Sequence, residues 1–175
     1  MLQVGMNVNE SEDNYMKSLL LIIDLQNVFI NEETEKLPDK INELINQDKY
    51  DDIVFTKFIN SEDSIYVKKL EWKRCIKDED KKIVIDTRNY RIFNKAKYSV
   101  INKEFIEYVN ENKITDIYLC GIDTECCILK NAFDLFEAGY NVYVLKDYCA
   151  CTRGIERHNN AIKILERNIG EKYII

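Results

Sequence analysis

The sequence predicts an α/β protein, built as a three-layer αβα sandwich around a mostly parallel β-sheet. Short apolar segments typical of buried strands alternate with longer segments whose apolar residues recur at helical spacing. The chain has 175 residues, 46% of them hydrophobic, which suits a single domain with a full core. Alternating strands and helices are joined by right-handed crossovers, which put the strands in one sheet covered by helices on both faces.

Seven segments are predicted as strands and five as helices. The run SLLLII in the first segment is too short to cross a membrane and is typical of a buried strand. The predicted strands are residues 18–24, 51–58, 82–86, 91–94, 115–120, 141–146 and 172–175, and the predicted helices are residues 36–47, 65–75, 102–112, 124–138 and 155–168. The fourth of these helices carries Lys130, Asn131, Asp134 and Glu137 on one predicted polar face.

Residues 121–133 (GIDTECCILKNAF) put a thiol in the first turn of a helix that follows an apolar strand. With Thr124 as the N-cap, Cys127 takes the third helical position, where unpaired N–H groups and the helix dipole favour a thiolate. Such an environment lowers the pKa of a thiol. Cys127 is therefore a candidate nucleophile, although a free cysteine more often simply packs in a core. The neighbouring Cys126 is the weaker candidate.

Two charged residues supply what a nucleophilic thiol needs, a base and a group that stabilises charge. Asp24 ends the first predicted strand, and the carboxyl ends of parallel strands form the ligand crevice of open α/β sheets. An Asp that only caps the next turn fits the same segment equally well. Lys95 follows the short strand at residues 91–94 and is placed to enter the same crevice, with Lys97 as a competitor. A solvated lysine is the ordinary alternative.

Three segments together resemble the isochorismatase-like cysteine hydrolases, a family that includes nicotinamidases, carbamoylsarcosine amidases and isochorismatases. These segments are DLQNVF at residues 24–29, KAKYS at residues 95–99 and GIDTECC at residues 121–127. They match the family's D-x-Q-x-x-F, K-x-x-Y-S and G-x-x-T-[D/E]-x-C patterns in order and spacing. The resemblance runs from about residue 18 to the end of the chain.

The resemblance implies a catalytic triad of Asp24, Lys95 and Cys127 at the carboxyl edge of a six-stranded sheet. It selects Cys127 over Cys126, because the nucleophile is the last residue of the third pattern. It also implies that the backbone N–H groups of Asp123 and Cys127 bind an oxyanion, with a cis peptide bond between Ile122 and Asp123.

The reaction that the resemblance implies is hydrolysis of a small amide or a related C–N bond through an acyl thioester. Two alternatives stay open: vinyl ether hydrolysis with Asp24 alone as the acid, and a binding or assembly protein that keeps the fold without turnover. The small-molecule substrate itself is not identified. Phe29, Arg88, Tyr90 and Trp72 are candidate substrate contacts, although Trp72 also suits plain core packing.

No catalytic metal and no cofactor are expected. The metal-bearing nicotinamidases of the family have an Asp and several His residues after the second strand, whereas residues 55–64 (FTKFINSEDS) contain no His. The chain has one His, His158, which suits a structural or surface role, and one imidazole cannot build such a site. The six cysteines form no C-x-x-C pair, which disfavours a structural zinc site and a redox dithiol.

Charge and composition limit the partners. The net charge of −6 argues against nucleic acid, whose phosphates need clustered positive charge. No secretory signal or membrane segment is apparent, and reduced thiols suit a cytoplasmic protein. The expected organisation is a polar N-terminal arm at residues 1–17 followed by one hydrolase domain at residues 18–175. A homo-oligomer, dimeric or larger, is expected from the resemblance and from the apolar content of so short a chain.

Overall fold

The fold is known from a computed structural model, which describes residues 16–175. The predicted arm at residues 1–17 therefore lies almost entirely outside the described residues. The strands of the described chain are β1 (Lys17–Ile23), β2 (Asp52–Phe58), β3 (Arg91–Lys95), β4 (Ile114–Ile122) and β5 (Asn141–Ala150). The α-helices are α1 (Leu37–Ile45), α2 (Ile65–Leu70), α3 (Asp78–Lys81), α4 (Lys103–Glu111), α5 (Leu129–Glu137) and α6 (Ile155–Ile169).

The strands form one parallel sheet in the order β3-β2-β1-β4-β5. From β1 the chain moves outward through β2 to β3, then crosses back to β4 on the other side of β1. The two neighbours β1 and β4 thus mark the point at which the strand order reverses. In open parallel sheets this switch point is where ligands bind, outside the carboxyl ends of the strands. The α/β prediction is confirmed.

The sheet has five strands in the described chain, so the prediction of six is wrong in detail. At the C-terminus, residues Glu171–Tyr173 form a 3₁₀ turn, and Ile174 makes a single parallel bridge to Val144 of β5. The segment predicted as a strand at residues 82–86 lies outside the sheet. It pairs instead with the turn after β1, where the N–H of Asn27 donates to the carbonyl of Lys82.

Helices cover both faces of the sheet, which gives the three predicted layers. In β1, Leu19, Leu21 and Ile23 face a core closed by α4, α5 and α6, whereas Leu20 and Ile22 face α1. Every residue from Leu19 to Ile23 is fully buried, as a central parallel strand requires. The helical residues that close the first core include Phe105, Val109, Ala132, Leu135, Ile162 and Leu165, and those of α1 are Leu37, Ile41, Leu44 and Ile45.

Gly121 lets β1 and β4 approach each other closely beside the switch point. Its φ is 119°, a conformation that side chains rarely adopt, and a Cβ on this residue would lie 2.1 Å from the carbonyl oxygen of Ile23. The next residue after Ile23 is Asp24. A larger residue at position 121 would therefore push apart the two strand ends that carry the site.

None of the helices within residues 16–175 combines the length and the apolar content that crossing a bilayer requires.

Candidate active site

Asp24 follows the last residue of β1 and is fully buried. Its φ is 48°, an uncommon value for a residue other than glycine, so the backbone leaves the strand sharply at this point. The hydroxyl of Thr56, on the neighbouring strand β2, donates to Asp24 Oδ1 at 2.6 Å and accepts from the Asp24 N–H at 3.1 Å. These two bonds fix the direction of the carboxylate. The remaining oxygen, Oδ2, faces Lys95.

Lys95 ends β3, and its side chain is 2% exposed. The ammonium nitrogen lies 2.5 Å from Asp24 Oδ2, donates to the Lys97 carbonyl oxygen at 3.1 Å and contacts the Cys127 sulfur at 3.4 Å. It also lies 5.0 Å from the centre of the Phe58 ring. The competing residue, Lys97, contributes its backbone carbonyl to the site and has an exposed side chain.

Cys127 lies in the helical turn between β4 and α5. Residues Thr124–Ile128 form a π-helical turn that continues into α5, and Asp123, not Thr124, takes the N-cap position. The carbonyl of Asp123 accepts from the N–H groups of Cys126 and Ile128, on either side of Cys127. Widened π turns of this kind often occur at functional sites. Here the turn directs the sulfur to the ammonium of Lys95.

The pKa of the Cys127 thiol is raised well above its usual value, first by burial and then by the Asp24 carboxylate. Lys95 acts in the opposite direction without outweighing them. The expectation of a lowered pKa is therefore wrong, because burial has a larger effect than the start of the helix. For Lys95, burial alone would lower the pKa. Asp24 and Cys127 raise the pKa by more than burial lowers it, so the amine stays charged. The resting site holds a neutral thiol beside an ion pair.

The peptide bond between Ile122 and Asp123 is cis, as the resemblance implies. The side chain of Asp123 turns away from the triad and accepts two hydrogen bonds from Thr152, from the N–H at 2.5 Å and from the hydroxyl at 3.0 Å. Its backbone remains at the entrance to the helical turn, next to Cys127. Asp123 thereby joins the end of β4 to the loop after β5.

Asn131 is a structural residue of the site that the sequence analysis placed on a polar helix face. It is fully buried. Its amide donates to the carbonyls of Cys127 at 2.7 Å and Tyr98 at 3.0 Å, and its oxygen accepts from the Val100 N–H at 2.9 Å. One side chain thus connects the turn that carries Cys127 to the segment that follows Lys95.

Thr124 and His158 form a second structural contact, between the turn that carries Cys127 and helix α6. The Thr124 hydroxyl donates to the Ala150 carbonyl at 3.0 Å, and it lies 2.8 Å from His158 Nδ1. Because that hydroxyl proton is already donated, the imidazole is the donor in the second contact. His158 has a lowered pKa, mainly through burial. The imidazole packs against the turn on the side of β5 and α6.

A cavity of about 720 Å³ opens over Cys127. Its apolar lining includes Phe29 and Trp72, whose rings stack with centres 6.3 Å apart and planes 9° apart. Three arginines that the sequence analysis did not single out, Arg74, Arg153 and Arg157, also line it. We call Asp24, Lys95 and Cys127 the triad, and Phe29, Trp72, Arg74 and Arg153 the pocket wall.

Arg88 and Tyr90, predicted as candidate substrate contacts, lie away from this cavity. The guanidinium of Arg88 donates to Asn46, the residue after α1, and Tyr90 packs on Phe55 with ring centres 6.2 Å apart. The chain before β3 thus runs along α1 and not along the crevice. Of the pocket wall, Phe29 comes from the turn after β1, Trp72 and Arg74 come from the loop after α2, and Arg153 comes from the loop between β5 and α6.

The donor set for a metal ion does not fit this site. Among residues 16–175, no three His, Cys, Asp or Glu side chains are grouped so that they share one ion. Near Trp72, the cavity is lined by Arg74, whose guanidinium has only hydrogen-bond donors and cannot bind a metal ion. The neighbouring Cys75 is buried. Turnover without a metal remains a prediction.

Comparison with known proteins adds three similarities. Isochorismatase family protein 2A of Dictyostelium discoideum is 39% identical over 61 residues, which is 34% of this chain and 30% of that protein. The pyrazinamidase of Pyrococcus horikoshii, solved in complex with zinc, has a TM-score of 0.78 at 24% identity, covering 90% of this chain and 97% of that one. The nicotinamidase of Bacillus subtilis has a TM-score of 0.77 at 22% identity, covering 89% and 97%.

These similarities differ in what they show. The sequence match to the Dictyostelium protein spans less than a third of that protein, and the two structural matches establish the fold. The decisive comparison is with the family model described as the Isochorismatase domain, which matches residues 18–172. That match contains the strand ends and the helical turn that bring Asp24, Lys95 and Cys127 together. The chain therefore belongs to the isochorismatase domain family.

Proposed function

We propose that this protein is a cysteine-dependent hydrolase of small amides or related C–N bonds. The observation that carries the proposal is the position of the Lys95 ammonium, 2.5 Å from Asp24 and 3.4 Å from the sulfur of Cys127. A buried base, a cation and a thiol in mutual contact, with the thiol open to a cavity, form a nucleophilic site.

In the first half of the reaction, Asp24 removes the proton of the Cys127 thiol as the sulfur attacks the amide carbon. Because burial raises the pKa of the Cys127 thiol, the thiol is neutral at rest and needs this base to become a nucleophile. The Lys95 ammonium stabilises the sulfur while it becomes negative, and it stays close to Asp24. The new C–S bond produces a tetrahedral oxyanion, for which the backbone N–H groups of Asp123 and Cys127 are the proposed donors.

In the second half, the oxyanion collapses, the C–N bond breaks and Asp24 returns the proton to the departing amine. This leaves an acyl thioester on Cys127. Asp24 then takes a proton from water, whose oxygen attacks the thioester carbon. The C–S bond breaks, a carboxylic acid is released and the thiol regains its proton. Asp24 acts twice as base and twice as acid, so its charge is restored at the end.

A screen of small amides and lactams, read out as ammonia or acid release, tests this proposal. The Cys127→Ala variant should lose turnover, while Cys126→Ala, which removes the adjacent thiol of raised pKa, should retain it. Turnover that survives Cys127→Ala would contradict the thioester and favour acid chemistry at Asp24 alone, as in vinyl ether hydrolysis. Binding of small amides without any turnover by the unmodified protein would favour a binding protein.

A further inference from the structure

The cavity over Cys127 has the opposite charge to the protein as a whole. The chain carries a net charge of −6. Three arginines nevertheless line the cavity, Arg74, Arg153 and Arg157, against two acids, Asp123 and Glu125. A local excess of cations on an acidic protein raises the local concentration of anionic ligands.

Both acids of the cavity are already engaged. Glu125 forms an ion pair with Arg157 at 3.2 Å. The carboxylate of Asp123 accepts two hydrogen bonds from Thr152. Glu125 therefore offsets Arg157, whereas Asp123 is oriented toward Thr152 and acts on Arg153 only at longer range. The cavity keeps an excess of one positive charge, carried by Arg74 and Arg153 together.

Of the three arginines that line the cavity, Arg153 makes the fewest contacts within the protein. Within residues 16–175, its guanidinium makes no hydrogen bond and no ion pair. It is close enough to the nucleophile turn to lower the pKa values of Asp123 and Cys126 against the effect of burial, and it acts on Tyr98 in the same way. The free guanidinium thus lies over the same turn as Cys127.

Arg74 has a partial internal role. One of its terminal nitrogens donates to the carbonyl of Val28 at 2.6 Å, which anchors the side chain beside Phe29. A guanidinium has five N–H donors, so this anchored residue keeps donors for a ligand. Anchoring also lowers the entropy lost when a ligand binds.

We propose that Arg153, assisted by Arg74, forms a subsite for a carboxylate carried by the amide substrate. This inference rests on the proposed function and adds the substrate class: an amide with a second, anionic end, not a neutral amide. A planar guanidinium binds a carboxylate through two parallel hydrogen bonds, which also fixes the orientation of the amide toward Cys127. The carboxylate belongs either to the acyl part or to the amine part of the substrate.

Matched pairs of amides test the subsite by turnover. Malonamate, succinamate and glutaramate carry the carboxylate on the acyl part, N-acetylglycine carries it on the amine part, and the methyl ester of each is the neutral partner. The acid should exceed its ester in kcat/KM by about tenfold or more in at least one pair, the effect of one lost charge-assisted bond. Arg153→Gln should reduce that ratio mainly through KM, and Arg153→Lys should reduce it less.

The control is Arg167→Gln, which removes an exposed arginine of α6 that does not line the cavity and should leave the ratio unaltered. Binding is measured separately on the Cys127→Ala protein by ligand-observed NMR with the same acids and esters. If an acid binds and its binding depends on Arg153, the subsite is supported even when no amide is turned over. Absence of turnover would contradict only the proposed function. Turnover or binding that favours no acid over its ester, and is insensitive to Arg153→Gln, overturns the subsite alone.

Discussion

The triad and the pocket wall belong to one site but are held in different ways. Each triad residue follows or ends a strand, or lies in the turn after one. Buried hydrogen bonds from Thr56 and Asn131 hold Asp24 and Cys127, and Lys95 is held by Asp24 and by the carbonyl of Lys97. The arginines of the wall come from loops and are largely exposed. In the proposed function, the sheet sets the chemistry, while the loops set what the chemistry acts on. Substitutions in the triad and in the pocket wall should therefore have effects that differ in kind as well as in size.

The largest effect is expected from Asp24→Asn. Loss of the general base should lower kcat by about 10²–10⁴-fold for every substrate. The change also leaves the Lys95 ammonium buried without its carboxylate, which should cost about 3–5 kcal/mol in the free energy of unfolding. Steady-state kinetics and urea denaturation measure the two effects.

Two further variants sharpen that contrast. Arg157→Gln breaks the partly exposed ion pair with Glu125 at the cavity and should cost at most about 1 kcal/mol. The double variant Asp24→Asn/Lys95→Met removes the unpaired charge and should regain stability without regaining activity. If Arg157→Gln destabilised the protein as much as Asp24→Asn, the distinction between a rigid triad and a more tolerant cavity lining would be wrong.

The next effect concerns the backbone under the triad. Gly121→Ala should destabilise the fold by about 1–3 kcal/mol or more, because the new Cβ meets the carbonyl of Ile23 and the φ is unfavourable. Gly139→Ala is the matched control, since its φ of 90° is similarly unfavourable but the added Cβ has no atom within 4 Å. Thermal melts of both variants measure the difference. Equal losses would show that close strand approach at Gly121 is unimportant.

A third prediction concerns alkaline pH. Burial raises the pKa values of the thiols, to about 11 for Cys126 and about 12 for Cys75, Cys149 and Cys151, from an ordinary value of 9.0. Above about pH 9 the unfolded chain loses thiol protons that the folded chain keeps, so stability should fall as pH rises. The slope approaches about 1.4 kcal/mol per pH unit for each such thiol.

Denaturant midpoints between pH 7 and pH 11, under reducing conditions, measure this decline. The raised pKa of Lys95 acts in the same direction, because its folded-state stabilisation is lost as pH rises through that pKa. Cys126→Ser removes one thiol that lines the cavity and should reduce the slope by up to about 1.4 kcal/mol per pH unit. A stability that is constant up to pH 11 would contradict the buried, neutral state of these thiols.

The smallest effect is expected from chelation. Neither the triad nor the pocket wall offers a set of metal ligands, so turnover should be unchanged after EDTA treatment and dialysis. Ammonia release before and after treatment measures this. Activity that is lost with EDTA and restored by zinc or manganese would overturn the prediction.

Local signals in the sequence mark each of the three triad residues as a candidate, and the resemblance of three segments to the isochorismatase-like hydrolases is what groups them as a triad. Asp24 ends an unmistakable buried run, Lys95 follows a short strand, and Cys127 follows a strand and a glycine. The same is true of the strands and helices that alternate along the chain. The prediction of a sheet strand at residues 82–86 is wrong. Periodicity shows that a segment is apolar, but it does not show which segment it pairs with, which here is the turn after β1.

The supporting residues and the wall could not be predicted in the same way. Thr56 is a polar residue in a buried strand, and Asn131 lies on a helix face that its sequence pattern predicts as polar. The hydrogen-bond partners of both are fixed by tertiary contacts. Arg153 comes from a loop about 25 residues after Cys127, and Arg74 from another loop, so no spacing rule joins them to the site. The direction of the Cys127 pKa shift likewise depends on burial, which only the fold determines.

The single amide of Asn131 has a consequence for motion. Because it holds the carbonyls of Tyr98 and Cys127 together with the N–H of Val100, the segment after β3 and the nucleophile turn should fluctuate as one body. We therefore expect thermal motion of the exposed loops that carry Arg74 and Arg153 to change access to the sulfur more than it changes the separation of the sulfur from the ammonium of Lys95.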